Sequence, residues 1–234
     1  MVCDRKPEGK VLVVAAHPDD EVLGCGGTIA RWAAGSIDVR ILILGEGVTS
    51  RYSKREQASA SEIRDLHARA RDVAAFLGAK RIEIQDLPDN RFDTVPFLDI
   101  VKRVETAIGA DVPDTILTHH SGDLNVDHTI THRAVLTATR PVPENAVREI
   151  LAFEVPSSTD WAFAAGSGAF APSVFLDIAD TLDRKLQALA MYNSEARPFP
   201  HPRSPEALAA VARRWGSIAG LRAAEAFVLI RRVG

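Results

Sequence analysis

Strand-length apolar runs alternate with amphipathic helical stretches through the first half of this chain, and that alternation restricts the fold more than any other feature. Residues 11–16 are continuously apolar, the pattern of a strand buried on both faces. Residues 21–34 follow with helical character, and 39–44 form a second apolar strand. Residues 53–77 predict a long helix whose Ile63, Leu66, Ala70, Val73 and Phe76 recur at helical spacing. A short strand at 81–84, a helix at 95–108, a strand at 115–118, a helix at 127–139 and a strand at 150–154 continue the pattern. Such alternation predicts an α/β fold, a mostly parallel sheet joined by right-handed crossovers and covered by helices. The remainder reads as a loop at 156–172, a strand at 174–178, two helices bracketing a Pro- and Arg-dense loop at 193–204, and a strand at 226–230. These late strands either extend the sheet or form a small second layer. No boundary is evident, so a single domain over 1–234 is expected.

Several classes are excluded early. The formal net charge is -3, with no Lys/Arg run of the nucleic-acid-binding kind, so no nucleic-acid partner is expected. The longest apolar runs are strand-length, so no integral membrane segment is expected. Residues 1–10 are polar and show no apolar signal segment. Two cysteines, Cys3 and Cys25, make neither a disulfide framework nor a thiolate zinc site, which points to a reducing, cytoplasmic setting.

The first apolar run ends in Ala16-His17-Pro18-Asp19-Asp20-Glu21. Open α/β sheets bind ligands beyond the carboxyl ends of their strands. Neighbouring side chains in a turn diverge, so one carboxylate can hold a metal while the other faces a water, the division of labour that metal-assisted hydrolysis needs. Read alone, the same residues serve equally as a helix cap. The stretch Thr118-His119-His120-Ser121-Gly122-Asp123-Leu124-Asn125-Val126-Asp127-His128 alters that balance. It also follows a strand and enters a helix, so it opens on the same sheet edge and supplies a second imidazole. Two histidines and a carboxylate make a common catalytic zinc set with an open position for water.

AHPDDE followed by GDLNVDH resembles the PIG-L/LmbE-like N-acetylglucosaminyl deacetylases. The likeness extends through DLPDNRFDT at 86–94, FEVPSS at 153–158 and the tail beginning YNSEARPFPHPRS at 192–204. It implies a Rossmann-like three-layer sandwich, and zinc (or another divalent metal) held by His17, Asp20 and His128. It further implies that Asp19 is the general base and later the acid for the leaving amine. Some family members carry a histidine three residues before the last ligand, at the oxyanion. Here that position is Asn125, an amide donor, and His119 or His120 is an alternative source. Asp127 is expected to orient a neighbouring histidine or its loop. The expected partner is a small-molecule amino sugar, and a homo-oligomer is plausible from the resemblance. Two rival readings remain: a metal hydrolase of another amide or an ester, and a non-catalytic sugar- or nucleotide-binding relative.

Arg51, Asp89, Asn90, Arg91, His120 and Asp123 are the expected substrate-binding residues, weighed against solvated loop and turn roles. Gly24-Cys25-Gly26-Gly27-Thr28 departs from a dinucleotide fingerprint and predicts close helix–sheet packing, with Cys25 a small buried residue. His67 is expected at the surface and His132 one helical turn from the site. His201 falls in a rigid loop that covers substrate or meets another subunit. Trp161 either stacks on a sugar or packs.

Overall fold

The computed structural model describes residues 7, 9–109, 111–142, 147–163 and 168–234. Cys3, the start of the chain and residues 164–167 of the expected 156–172 loop lie outside them. Seven strands form one sheet: β1 (Val11–Ala15), β2 (Val39–Gly45), β3 (Arg81–Leu87), β4 (Thr115–His119), β5 (Glu149–Phe153), β6 (Val174–Asp177) and β7 (Ala224–Arg232). Their order is β3-β2-β1-β4-β5-β7-β6. The first five strands are parallel, and β7 pairs antiparallel with both β5 and β6. The late strands therefore extend the same sheet.

Side chains of β1 alternate between two cores. Val11, Val13 and Ala15 join helices α1 (Asp20–Ala34), α2 (Ala60–Leu77) and α5 (Leu182–Met191) on one face. Leu12, Val14 and Ala16 join α3 (Phe97–Ile108) and α4 (Val126–Ala138) on the other. The sheet is thus covered on both faces, as the continuous apolar runs require. The chain winds outward from β1 to β3 and then returns to β4, on the other flank of β1. That reversal separates the ends of β1 and β4 into a crevice, the place where sheets of this kind hold ligands.

Helix α2 starts at Ala60, seven residues after the expected position. Ser59 accepts from the Glu62 amide at 3.2 Å, and the Glu62 carboxylate accepts from the Ser59 amide at 3.0 Å. This reciprocal capping box sets the helix start, and the preceding residues form short 3-10 turns instead.

The glycine-rich stretch lies inside α1, which is kinked at Cys25 (φ -147°). The Gly27 and Thr28 amides donate to Glu225 at 2.9 and 2.7 Å. Lys185 bonds the same carboxylate at 2.6 Å and the Leu23 carbonyl at 2.9 Å, so α1, α5 and β7 share one buried ion pair. A Cβ on Gly24 would stand 2.2 Å from the Phe153 ring. Gly24→Ala is therefore expected to lower stability by about 1–3 kcal/mol through overpacking, read as a lower urea midpoint with unchanged slope.

Candidate metal centre and cleft

His17 and Asp20 leave the end of β1, and His128 sits in the first turn of α4. His17 Nδ1, His128 Nε2 and Asp20 Oδ2 form a nearly equilateral triangle with sides of 3.4, 3.3 and 3.4 Å. Donors tetrahedrally arranged at bond lengths of about 2.0–2.1 Å stand about 3.3–3.4 Å apart. The three atoms therefore fit a single small divalent cation. Asp20 Oδ1 is buried without a hydrogen-bond partner, leaving a second lone-pair donor on the same carboxylate.

A carboxylate backs each imidazole. His17 Nε2 meets Asp127 Oδ2 at 2.9 Å, while Asp127 Oδ1 accepts from the Phe92 amide at 2.9 Å. His128 Nδ1 meets Asp123 Oδ1 at 3.1 Å, and Asp123 Oδ2 accepts from Ser158 and Thr159. Such partners fix ring orientation and leave the opposite nitrogen for a metal. Asp123 consequently faces His128 and is absent from the cleft lining. His119 stacks on His128 with centroids 4.0 Å apart. Its Nε2 accepts from the Ala16 amide at 2.8 Å, a bond that places the neutral ring's proton on Nδ1.

Asp19 occupies the corner of the turn with φ 115°, a conformation that a side-chain-bearing residue adopts only under constraint. Its amide donates to Glu21 at 3.0 Å, and its carbonyl accepts from Val22 and Leu23. Arg203 Nη1 holds its carboxylate at 2.8 Å, and Arg203 Nε reaches Ser157 at 3.1 Å. Burial drives the Asp19 pKa well above the usual carboxylate range, opposed by the Arg203 charge. Burial also raises Glu21 to about 7, while the hydrogen bond from Tyr192, 2.7 Å long, opposes it.

Beside this turn lies a cleft of about 190 Å³ lined by His17, Asp19, Arg51, Asp89, Asn90 and Asn125, and by Glu195, Arg197 and Arg203 of the Pro- and Arg-dense loop. Val48 (φ 60°) and Asn90 (φ 55°) also line it in left-handed conformations, so backbone strain collects around the cleft. Asp89 accepts from the Ser50 amide and hydroxyl at 3.0 and 2.6 Å and stands 3.3 Å from His17 Nε2. Asn125 caps α4 through Oδ1 and donates from Nδ2 to Asn90 at 2.9 Å, which leaves one amide hydrogen. Arg51 pairs with Glu195.

Other expected residues fall elsewhere. Arg91 is exposed and does not line the cleft. His120 turns to the Gly168 carbonyl at 3.1 Å and to the Phe170 ring. His132 is buried behind the site, its Nδ1 2.8 Å from the His119 carbonyl. His67 is half-buried and bonds the Glu46 carbonyl at 3.0 Å, a difference from the expected surface position. Trp161 meets His201 edge-on. Arg203, Glu21, Tyr192 and Glu195 carry contacts that no local spacing announced.

Fold and site together define an α/β protein with a candidate divalent-cation centre at its sheet switch point. The chain belongs to the PIG-L family, described as GlcNAc-PI de-N-acetylase, whose sequence profile matches residues 12–139. It is 27% identical over 231 residues to diacetylchitobiose deacetylase of Thermococcus kodakarensis, covering 92% of this chain and 81% of that one. It is 26% identical over 200 residues to a probable N-acetyl-alpha-D-glucosaminyl L-malate deacetylase of Bacillus cereus, covering 80% and 84%. The structure of N,N'-diacetylchitobiose deacetylase from Pyrococcus horikoshii superposes with a TM-score of 0.75 at 20% identity, covering 95% and 84%, and shares the fold. Among the described residues, no helix is long and apolar enough to cross a membrane.

Burial works to lower the His128 pKa, but Asp20 and Asp123 carry it up to about 9; Asp127 and Asp20 likewise raise His17 against burial. His128 is therefore expected to carry a proton at neutral pH without a cation, and a cation taken by its Nε2 expels that proton. Affinity for a divalent cation is expected to rise with pH until about 9, where His128 deprotonates unaided. Calorimetry at pH 7 in buffers of different ionisation enthalpy should show net proton release; zero release would contradict this charge balance.

Proposed function

We propose that this chain is a zinc-dependent amidohydrolase that removes the N-acetyl group from an N-acetylglucosamine-type conjugate, releasing acetate and a free amine. The observation that carries this reading is the donor triangle of His17, Asp20 and His128 with the carboxylate of Asp19 beside it in the cleft. The names of the relatives, deacetylases of acetylated sugars, support the same bond. A divalent cation bound by His17, Asp20 and His128 supplies Lewis acidity toward the acetyl group and acidifies water.

The residues of the chain perform the remaining work. Asp19 accepts the proton of the attacking water as the new carbon–oxygen bond forms. The free amide hydrogen of Asn125 donates to the developing oxyanion. As the carbon–nitrogen bond breaks, Asp19 returns the proton to the leaving amine. Arg203 holds Asp19 in place and favours its ionised form against burial. Asp89, Asn90 and Arg51 offer donors and acceptors to sugar hydroxyls, and Asp123 and Asp127 orient the two imidazoles.

Asp19→Asn is expected to keep its cation and lose about 10²–10⁴-fold in acetate release from an N-acetylglucosamine conjugate. Asp20→Ala is expected to lose the cation itself. Elemental analysis beside an acetate assay, with and without chelator, checks both. Near-normal turnover by Asp19→Asn would overturn the assigned base.

A further inference from the structure

Asp19 is held from two sides. Arg203 takes its carboxylate at 2.8 Å, and the Glu21 carboxylate accepts from its amide at 3.0 Å. Asp19 stands at the N-terminal cap of α1 yet makes no side-chain cap bond there, so its carboxylate is left to the cleft. That freedom depends on the left-handed corner at φ 115°, which persists in a side-chain-bearing residue only where the surroundings enforce it. The bonds from the Val22 and Leu23 amides to the Asp19 carbonyl are those of an ordinary helix start. The bond from the Asp19 amide to Glu21 Oε2 is different, because it fixes the peptide plane that enters the corner.

The side chain that directs Glu21 is Tyr192. Its hydroxyl donates to Glu21 Oε1 at 2.7 Å, while Oε2 receives the Asp19 amide. Tyr192 closes α5 and is 0% exposed, so it meets no ligand and reaches the acidic turn through Glu21. Its carbonyl accepts from the Glu195 and Ala196 amides at 2.8 and 3.2 Å, at the start of the loop that carries Arg203. Both anchors of Asp19 thus come from residues 192–203. Asp20 is secured separately, since it accepts from the His17 amide at 2.8 Å and faces both imidazoles. The aim of Asp19 and the grip of Asp20 therefore rest on different bonds.

We propose that Tyr192 is a positioning residue for the reaction: its hydroxyl holds the Glu21 carboxylate against the Asp19 amide, and this relay aims Asp19 at the water it deprotonates. The proposal rests on the deacetylase reading, in which Asp19 is the base. Loss of the hydroxyl frees Glu21 to rotate and relaxes the corner toward an ordinary helix start, where the Asp19 carboxylate caps α1 instead of facing the cleft. A base must stand within hydrogen-bond reach of the proton it takes, so the loss falls on kcat. The cation donors keep their own bonds, so cation content is unaffected.

Tyr192→Phe keeps the ring and removes one oxygen. Acetate release from the methyl glycoside of N-acetylglucosamine is measured per bound cation, beside Tyr52→Phe, which removes the same oxygen from the chain's other tyrosine and its bond to Glu62. Tyr192→Phe is expected to lower kcat by about tenfold or more at unchanged KM and cation content, a loss of the order that small displacements of a reacting group cause. Tyr52→Phe should match wild type. Glu21→Gln keeps an acceptor for the Asp19 amide and sets a donor against Tyr192, so it should retain kcat within about threefold. Glu21→Ala should lose at least as much as Tyr192→Phe, and the double variant should be no slower than Glu21→Ala, because residues that act through one another are not additive. A packing role alone predicts lower thermal stability with wild-type kcat in Tyr192→Phe, or losses that multiply in the double variant; either result would overturn the proposal. Should Glu21→Ala not fold, Tyr192→Phe and Glu21→Gln decide it. Absence of acetate from wild type would count against the deacetylase reading alone. The relay is then judged by amide exchange at Asp19 in the cation-loaded protein, which Tyr192→Phe should speed by about tenfold relative to Val13 of β1. Unchanged exchange at Asp19 would overturn it.

Discussion

Six carboxylates are buried around the ends of β1 and β4: Asp19, Asp20, Glu21, Asp89, Asp123 and Asp127. Charge removed from water is tolerated only when it is paired and hydrogen-bonded. Each of the six has such a partner. Asp20 faces both imidazoles, Asp127 and Asp123 back one imidazole each, and Asp89 is held by Ser50 and Asn90. Asp19 and Glu21 draw their partners, Arg203 and Tyr192, from the last third of the chain. The need to compensate this acid cluster therefore explains the attachment of the 193–204 loop over the site. The loop's cleft residues come with that attachment.

The same requirement accounts for what could and could not be read from the order of residues. The convergence of His17, Asp20 and His128 is legible because the first two stand in the turn after β1 and the third in the helix start that follows β4, and the alternation of elements predicts that both strand ends open on one edge. The neighbouring position of β1 and β4, which makes them one site, follows from the reversal of winding after β3. Arg203 and Asp19 are 184 residues apart, and Tyr192 and Glu21 are 171 apart, so neither pair leaves a local spacing signal. The 193–204 loop was recognisable by its proline and arginine content, but composition does not say what a loop touches. Asp123 lay in the right segment, yet its direction depends on Ser158 and Thr159, which come from beyond β5. The start of α2 differs from the expected one because helical composition extends upstream of the Ser59–Glu62 box that sets the helix start.

Backbone strain is distributed in the same way as charge. Asp19 at φ 115° costs free energy of about 1–3 kcal/mol, as unusual backbone conformations do. Its amide and carbonyl are both bonded within the first turn of α1, so the corner is over-determined. That corner turns Asp19 toward the cleft while Asp20 remains aimed at the imidazoles. Further along α1, the kink at Cys25 frees the amides of Gly27 and Thr28, which Glu225 captures. The helix that carries the acidic turn is thus clamped at its start by Tyr192 and in its middle by the Lys185–Glu225 pair. Displacement of the turn would break contacts at both places, so the donor triangle inherits the rigidity of the core.

The floor and the mouth of the cleft have different physical origins. The floor is built from strand ends and helix starts, whose positions are set by sheet register and by packing on both faces. The mouth is built from the 45–51 turn and the 193–204 loop, joined to each other through Arg51 and Glu195. Substitutions at the floor disturb the donors and the core together. Substitutions on the outer loop other than at Arg203 alter the groups that line the cleft while leaving the donor geometry in place. Arg203 is the one link between the two, since it stands on the outer loop and holds Asp19 at the floor, so the rest of the loop can vary only while that contact is kept.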